Sequence, residues 1–167
     1  MSRGFVKEDD QEETPMVPPR ADLPEGLMNY VTSKGYDELL AEKEALIKER
    51  EDLEGANEKE RRIASNLIHA KIQLLNERIS SAQIIDLSEQ PKDEVRFGAT
   101  VSLKIGKANQ VQRYHIVGVD EADISKKKMA FNSPIALLLM GKKVGEKAIL
   151  KLLNGERKFE VIDIEYV

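Results

Sequence analysis

Leu39, Leu46 and Leu53 stand seven residues apart, and an apolar seam of that period is buried by packing against another helix. This repeat constrains the chain more than any other feature. Tyr36, Leu40 and Ile47 flank the same stripe. A second stripe follows, in which Ile68, Ile72, Leu75, Ile79 and Ala82 alternate spacings of four and three, and Leu67 and Leu74 broaden its face. Between the two runs sits Glu54-Gly55-Ala56-Asn57. Gly55 suits the left-handed residue that closes a helix, and Asn57 with Glu60 makes an Asn-x-x-Glu start signal similar to a capping box. With Ser33 opening the first run and Ser80 near the end of the second, the turn falls almost midway. The pattern predicts an antiparallel coiled-coil hairpin over residues 32–82, with arms of about 22 residues, each on the order of 33 Å long.

From Gln83 onward the pattern is that of strands: Ile84-Ile85-Asp86-Leu87, then residues 95–105, 111–119, 148–153 and 159–164. Gly106, Asn109, Asn154 and Gly155 suit the reversals between them. The exception is Ser133-Pro134-Ile135-Ala136-Leu137-Leu138-Leu139-Met140-Gly141, where Ser caps, Pro suits the first helical turn and Gly ends a short apolar helix. One short helix on an antiparallel sheet, preceded by a helical hairpin, makes the fold class α+β.

The first 31 residues differ from both parts. They hold the acidic run Glu8-Asp9-Asp10-Gln11-Glu12-Glu13 and four of the six prolines, a composition that buries too little apolar area to offset chain entropy. A disordered acidic and proline-rich tail is expected over residues 1–31. Across the whole chain, a net charge of −4 gives no general attraction to phosphate, and the absence of Trp with 5% aromatic residues argues against a stacking platform for single-stranded nucleic acid. The absence of cysteine removes disulfides and thiolate metal sites. The N-terminus shows no apolar signal core, and no run approaches the roughly 20 apolar residues that cross a bilayer. A soluble, cytoplasmic chain without membrane association is expected.

Ser80-Ser81-Ala82-Gln83-Ile84-Ile85-Asp86 and Phe97-Gly98-Ala99-Thr100-Val101 resemble, respectively, the junction and the first long strand of the Gre transcript cleavage factors. Tyr114-His115-Ile116-Val117-Gly118-Val119-Asp120-Glu121-Ala122-Asp123, Asn132-Ser133-Pro134-Ile135-Ala136 and the ending Ile164-Glu165-Tyr166-Val167 are similar to further family blocks in the same order. Thr32 and Gly35 resemble the Thr-x-x-Gly opening of the first helix. The resemblance implies an FKBP-like fold for residues 83–167 and binding to bacterial RNA polymerase; the seam could pair between chains, but the Gly55-Ala56-Asn57 turn makes an internal hairpin easier to form, so a monomer is expected. The sheet domain would grip the rim of the secondary channel while the hairpin enters it, so nascent RNA is met only through the polymerase complex. No intrinsic cofactor is implied, and the magnesium belongs to the polymerase active site. The chain is then no enzyme itself and at most stimulates the polymerase's own RNA cleavage.

In that family acidic tip residues help to hold magnesium and its attacking water, as hard carboxylate oxygens can. Here Asp52 and Glu54 are the candidates for this catalytic and transient metal-ligand role, although the family's Gly-Asp-x-x-Glu-Asn-x-x-Tyr tip is replaced by Arg50-Glu51-Asp52-Leu53-Glu54-Gly55-Ala56-Asn57-Glu58. Each arm also resembles a version shortened by roughly ten residues, or about 15 Å of reach. A non-cleaving regulator with a short hairpin is the alternative. The mixture of acids with Lys48, Arg50, Lys59, Arg61 and Arg62 also reads as a salt-bridged helix end. By the same resemblance, Asp120, Asn132, Ser133, Pro134 and Ile135 are candidates for polymerase binding; helix capping is the other role of Ser133. From Gln83 onward 14 Lys or Arg stand against 12 Asp or Glu, and Lys126-Lys127-Lys128 suits either an acidic partner or protection of a sheet edge. His69 and His115 stand too far apart from other ligands for a metal cluster. A prolyl isomerase is the remote alternative, since its pocket needs aromatic lining and this domain offers Phe97, Tyr114, Phe131, Phe159 and Tyr166.

Overall fold

The computed structural model describes residues 15–55, 57–108 and 110–167. The acidic run at residues 8–13 lies outside them. In chain order the elements are β1 (Asn29–Val31), α1 (Ser33–Glu51), α2 (Glu58–Ser81), β2 (Ala82–Ile84), β3 (Thr100–Ile105), β4 (Val111–Val117), β5 (Lys128–Ala130), α3 (Pro134–Leu139), β6 (Lys147–Leu152) and β7 (Gly155–Glu165). No helix among the described residues is long and apolar enough to cross a membrane.

The hairpin forms because its apolar seams face each other and its starts are capped. Thr32 Oγ1 accepts the Gly35 amide at 2.9 Å, and Asn57 Oδ1 accepts that of Glu60 at 2.8 Å, each satisfying an amide the helix leaves unpaired. Leu39, Ile68, Ile72 and Leu75 are buried. The arms are unequal, at 19 and 24 residues, or about 28 and 36 Å. Leu53 falls in the turn rather than in the seam, because α1 closes at Asp52, whose amide donates to Lys48 O at 2.9 Å. Gly55 is not left-handed as expected.

The main sheet has the order β5-β4-β3-β7-β6. It is antiparallel except at one edge, where β5 runs parallel to β4, a strand hidden in the sequence because it starts on the last residue of the Lys126-Lys127-Lys128 run. Val101, Leu103, Ile116, Phe159 and Val161 turn inward and meet Ala136 and Leu139 of α3 in the main core. Two expected strands differ. Residues 95–99 form no strand, although Val95 is fully buried and Glu94 bridges Lys143. β2 ends at Ile84, before a single 3-10 turn at Leu87–Glu89.

Within the segment expected to be a disordered tail, Asn29–Val31 form a strand. β1 pairs in parallel with β2, Asn29 opposite Ala82 and Val31 opposite Ile84. Val31 is buried with Leu39 and Leu75 at the hairpin root. Tyr30 packs against Phe97 and Phe131, with ring centroids 5.8 and 5.6 Å away. A three-residue strand needs only a partner and one buried face, and the return of α2 supplies both. The expected boundary after Ala82 therefore runs through β2.

Candidate functional site

Ser133 and Pro134 set the position of α3: Ser133 Oγ accepts the Ala136 amide at 3.4 Å, and Pro134 opens the helix. Asn132 is half-buried beside them. This start forms one wall of a cavity of about 540 Å³, whose floor is the inner sheet face at Leu103, Ile105, Leu150 and Phe159 and whose wall includes Pro134 and Ile135. The opposite wall is the loop at Ala122 to Ile124, where Ile124 is 79% exposed. Asp123 shapes that loop by accepting the Ser125 amide at 3.0 Å and its hydroxyl at 2.6 Å. The hydroxyl bond holds the Asp123 carboxyl below the usual carboxylate range. Arg157, Lys128 and Asp123 put charges around the apolar floor. Ile124 escaped the sequence reading, although a lone isoleucine between Asp123 and Ser125 in a polar turn was its signal. Of the five aromatic candidates only Tyr114 and Phe159 line the cavity; Phe97 and Phe131 pack in the core, and Tyr166 donates to Glu94 O at 2.6 Å.

Asp120 does not line this groove; its side chain turns into the junction between hairpin and sheet domain. Its side chain is 7% exposed, accepts Arg20 Nε at 3.0 Å and lies 3.7 Å from Arg78 Nη1. Arg20 also forks onto Glu42 at 2.7 and 3.0 Å. The Glu42 bond, with Asp120, outweighs burial and holds the guanidinium more firmly protonated than usual. The next residue, Glu121, is buried: Thr32 Oγ1 donates to it at 2.6 Å and Lys128 Nζ stands 3.5 Å away. This pair explains the Thr-x-x-Gly spacing, because a Cβ on Gly35 would lie 2.6 Å from Glu121 Oε2.

His115 borders the same carboxylate. Its Nε2 lies 3.1 Å from the Gly98 carbonyl, so this nitrogen carries the hydrogen. Burial holds the imidazole below its ordinary pKa, and attraction to Glu121 offsets this only in part. On acidification the unfolded chain takes up the proton first, so the stability tied to neutral His115 is complete above about pH 6.5 and is lost below it. Urea unfolding should show little change above about pH 6.5 and stability falling as the pH drops below it, and His115→Gln should flatten that part of the profile.

At the hairpin tip Asp52 and Glu54 are exposed. They stand near a shallow depression of about 450 Å³ shared by Arg50, Glu51, Glu58, Arg61 and Arg62. No three acidic, His or Cys side chains among the described residues converge as a metal site. Magnesium prefers octahedral oxygen ligation, so this donor set does not fit a resident ion.

An open apolar groove beside a rod of two helices is a layout suited to docking on another macromolecule. The family profile described as transcription elongation factor, GreA/GreB, C-term, matches residues 90–166. The chain is 36% identical over 121 residues to transcription elongation factor GreA of Halorhodospira halophila, covering 72% of this chain and 73% of the relative. To GreA of Baumannia cicadellinicola it is 34% identical over 145 residues, covering 86% and 84%. Among solved structures, GreA factor homolog 1 (Gfh1) of Thermus thermophilus aligns at 23% identity and a TM-score of 0.39, over 81% of this chain and 97% of that one. The chain belongs to the GreA/GreB family of transcription elongation factors.

Proposed function

We propose that this chain binds bacterial RNA polymerase through the groove of its sheet domain and lays its hairpin into the polymerase secondary channel, acting on elongation as a monomer. The groove beside α3 is the observation that carries the reading. An exposed Ile124 above an apolar floor, rimmed by Arg157, Lys128 and Asp123, has the apolar centre and polar rim that interface hot spots use. Asn132, Ser133, Pro134 and Ile135 make the contact from a capped and therefore rigid helix start. Asp120 acts from behind it, fixing the loop that presents Ile124. Nascent RNA is met only inside the polymerase complex.

Two roles for the hairpin remain distinguishable. In one, Asp52 and Glu54 add carboxylate oxygens to the polymerase's own magnesium and stimulate RNA cleavage. In the other, the hairpin occupies the channel without chemistry. The short first arm, about 28 Å, and the separate, exposed tip carboxylates favour the second. RNA shortening in stalled, backtracked complexes with cognate polymerase and magnesium tests this, with the Asp52→Ala, Glu54→Ala variant alongside. The expected result is binding without faster cleavage. Stimulated cleavage that the double variant loses would assign the tip a chemical role, and no binding at micromolar concentration would overturn the proposal as a whole.

A further inference from the structure

Residues 15–28 run across the root of the hairpin, and Arg20 sits where three elements meet. Its fork takes Glu42 of α1, and its Nε takes Asp120 in the loop after β4. Arg78 of α2 approaches the same Asp120 and also donates to the carbonyl of Ala21. Glu42 belongs to the hairpin and Asp120 to the sheet domain. Arg20 can satisfy both only when the hairpin stands at one angle to the sheet, since a planar guanidinium bonds in fixed directions.

Two further observations show that this closure is incomplete. Among the described residues, three buried side-chain atoms make no hydrogen bond: Asn29 Oδ1, and Arg78 Nη1 with Asp120 Oδ2, which face each other as an ion pair 3.7 Å apart, too long to hydrogen-bond. All three lie at this junction, where Asn29 Nδ2 bonds Arg78 O at 3.0 Å. A solvent-open groove of about 390 Å³ also separates Pro18 and Pro19 from the hairpin residues Leu46 and Leu74 and from Val119, so the strap is not packed flush against the root. A buried acceptor without a donor and an ion pair too long to hydrogen-bond leave the closed state less stabilised than full pairing would.

We infer that residues 15–28 form a releasable strap, with Arg20 as the latch that sets the angle between the hairpin and the sheet domain. Arg20 is a positioning residue in this role. The strap is a property of the isolated chain, so its test needs no polymerase and can fail while the docking proposal stands.

The chain has no cysteine, so Lys59→Cys near the tip and Lys151→Cys on β6 provide two unique attachment points for spin labels, both exposed. Pulsed electron paramagnetic resonance on the full chain should give one narrow distance distribution, shifted and broadened by Arg20→Ala. Arg20→Lys, which keeps the charge but not the fork, should restore it in part, and Glu42→Gln should broaden it as Arg20→Ala does. Amide exchange at residues 29–31 and 82–85 should rise about tenfold or more in Arg20→Ala while exchange in β3 and β7 stays unchanged. An unchanged distance distribution in Arg20→Ala overturns the inference. So does an exchange increase that extends through β3 and β7, because Arg20 would then be supporting the whole fold rather than one angle.

Discussion

Ile124→Asp is expected to weaken binding to RNA polymerase about thirtyfold, the cost of one hot-spot side chain worth about 2 kcal/mol. The side chain is 79% exposed over the groove, so its hydrophobic contribution is made on docking and not on folding. A carboxylate there would be carried toward the apolar floor formed by Leu103, Leu150 and Phe159, where desolvation without a partner is unfavourable. Thermal unfolding of the variant should match the parent closely, as exposed substitutions generally do. Titration of labelled protein against core polymerase, beside a melting curve, measures both. A melting temperature that stays put together with unaltered polymerase affinity would remove Ile124 from the interface.

Glu121→Ala should destabilise the chain by about 3 kcal/mol, because it takes one partner from a buried hydrogen-bonded charge pair and leaves the other behind. The Thr32 hydroxyl would lose its acceptor and Lys128 Nζ its carboxylate, 2.6 and 3.5 Å away respectively. For a chain of this length the melting temperature should fall by roughly 10 °C. The same carboxylate decides the sign of a second substitution. Gly35→Ala would ordinarily favour a helix by up to about 1 kcal/mol, yet the added Cβ would meet Glu121 Oε2 at 2.6 Å. Gly35→Ala should therefore destabilise the parent and become neutral or stabilising once Glu121 is alanine. A double-mutant cycle in urea reads that coupling directly. Additive effects would show that Gly35 is required for some other reason.

The hairpin was legible because its signal is local and repeated: a heptad seam, then Asn57 with Glu60 at the restart. Ser133 and Pro134 announced α3 in the same way, since a cap and the helix it opens are adjacent in sequence. The short strands were not legible. β1 and β5 have three residues each, too few for an alternation, and each forms because a partner strand is already in place. The proline-rich composition also concealed Arg20, whose use depends on Asp120, 100 residues further along. Asp120 itself was expected to contribute to a partner surface, and its block in the sequence is equally compatible with either direction of the side chain. Only packing against Arg20 and Arg78 selects the inward one. Ile124 shows the converse case, an apolar residue that packing leaves uncovered at the edge of the groove.

The parallel pairing of β1 with β2 joins the chain just before α1 to the chain just after α2, with Asn29 opposite Ala82 and Val31 opposite Ile84. The hairpin is thus a loop closed at its own neck, and its length is mechanically separate from the groove proposed to grip the polymerase. Adding or deleting one matched heptad in each arm would move the tip by about 10 Å without changing the register of the neck or the shape of the groove. Reach and grip become independent variables, so arms of different length can be compared on an unaltered docking domain to find the depth at which the tip begins to matter.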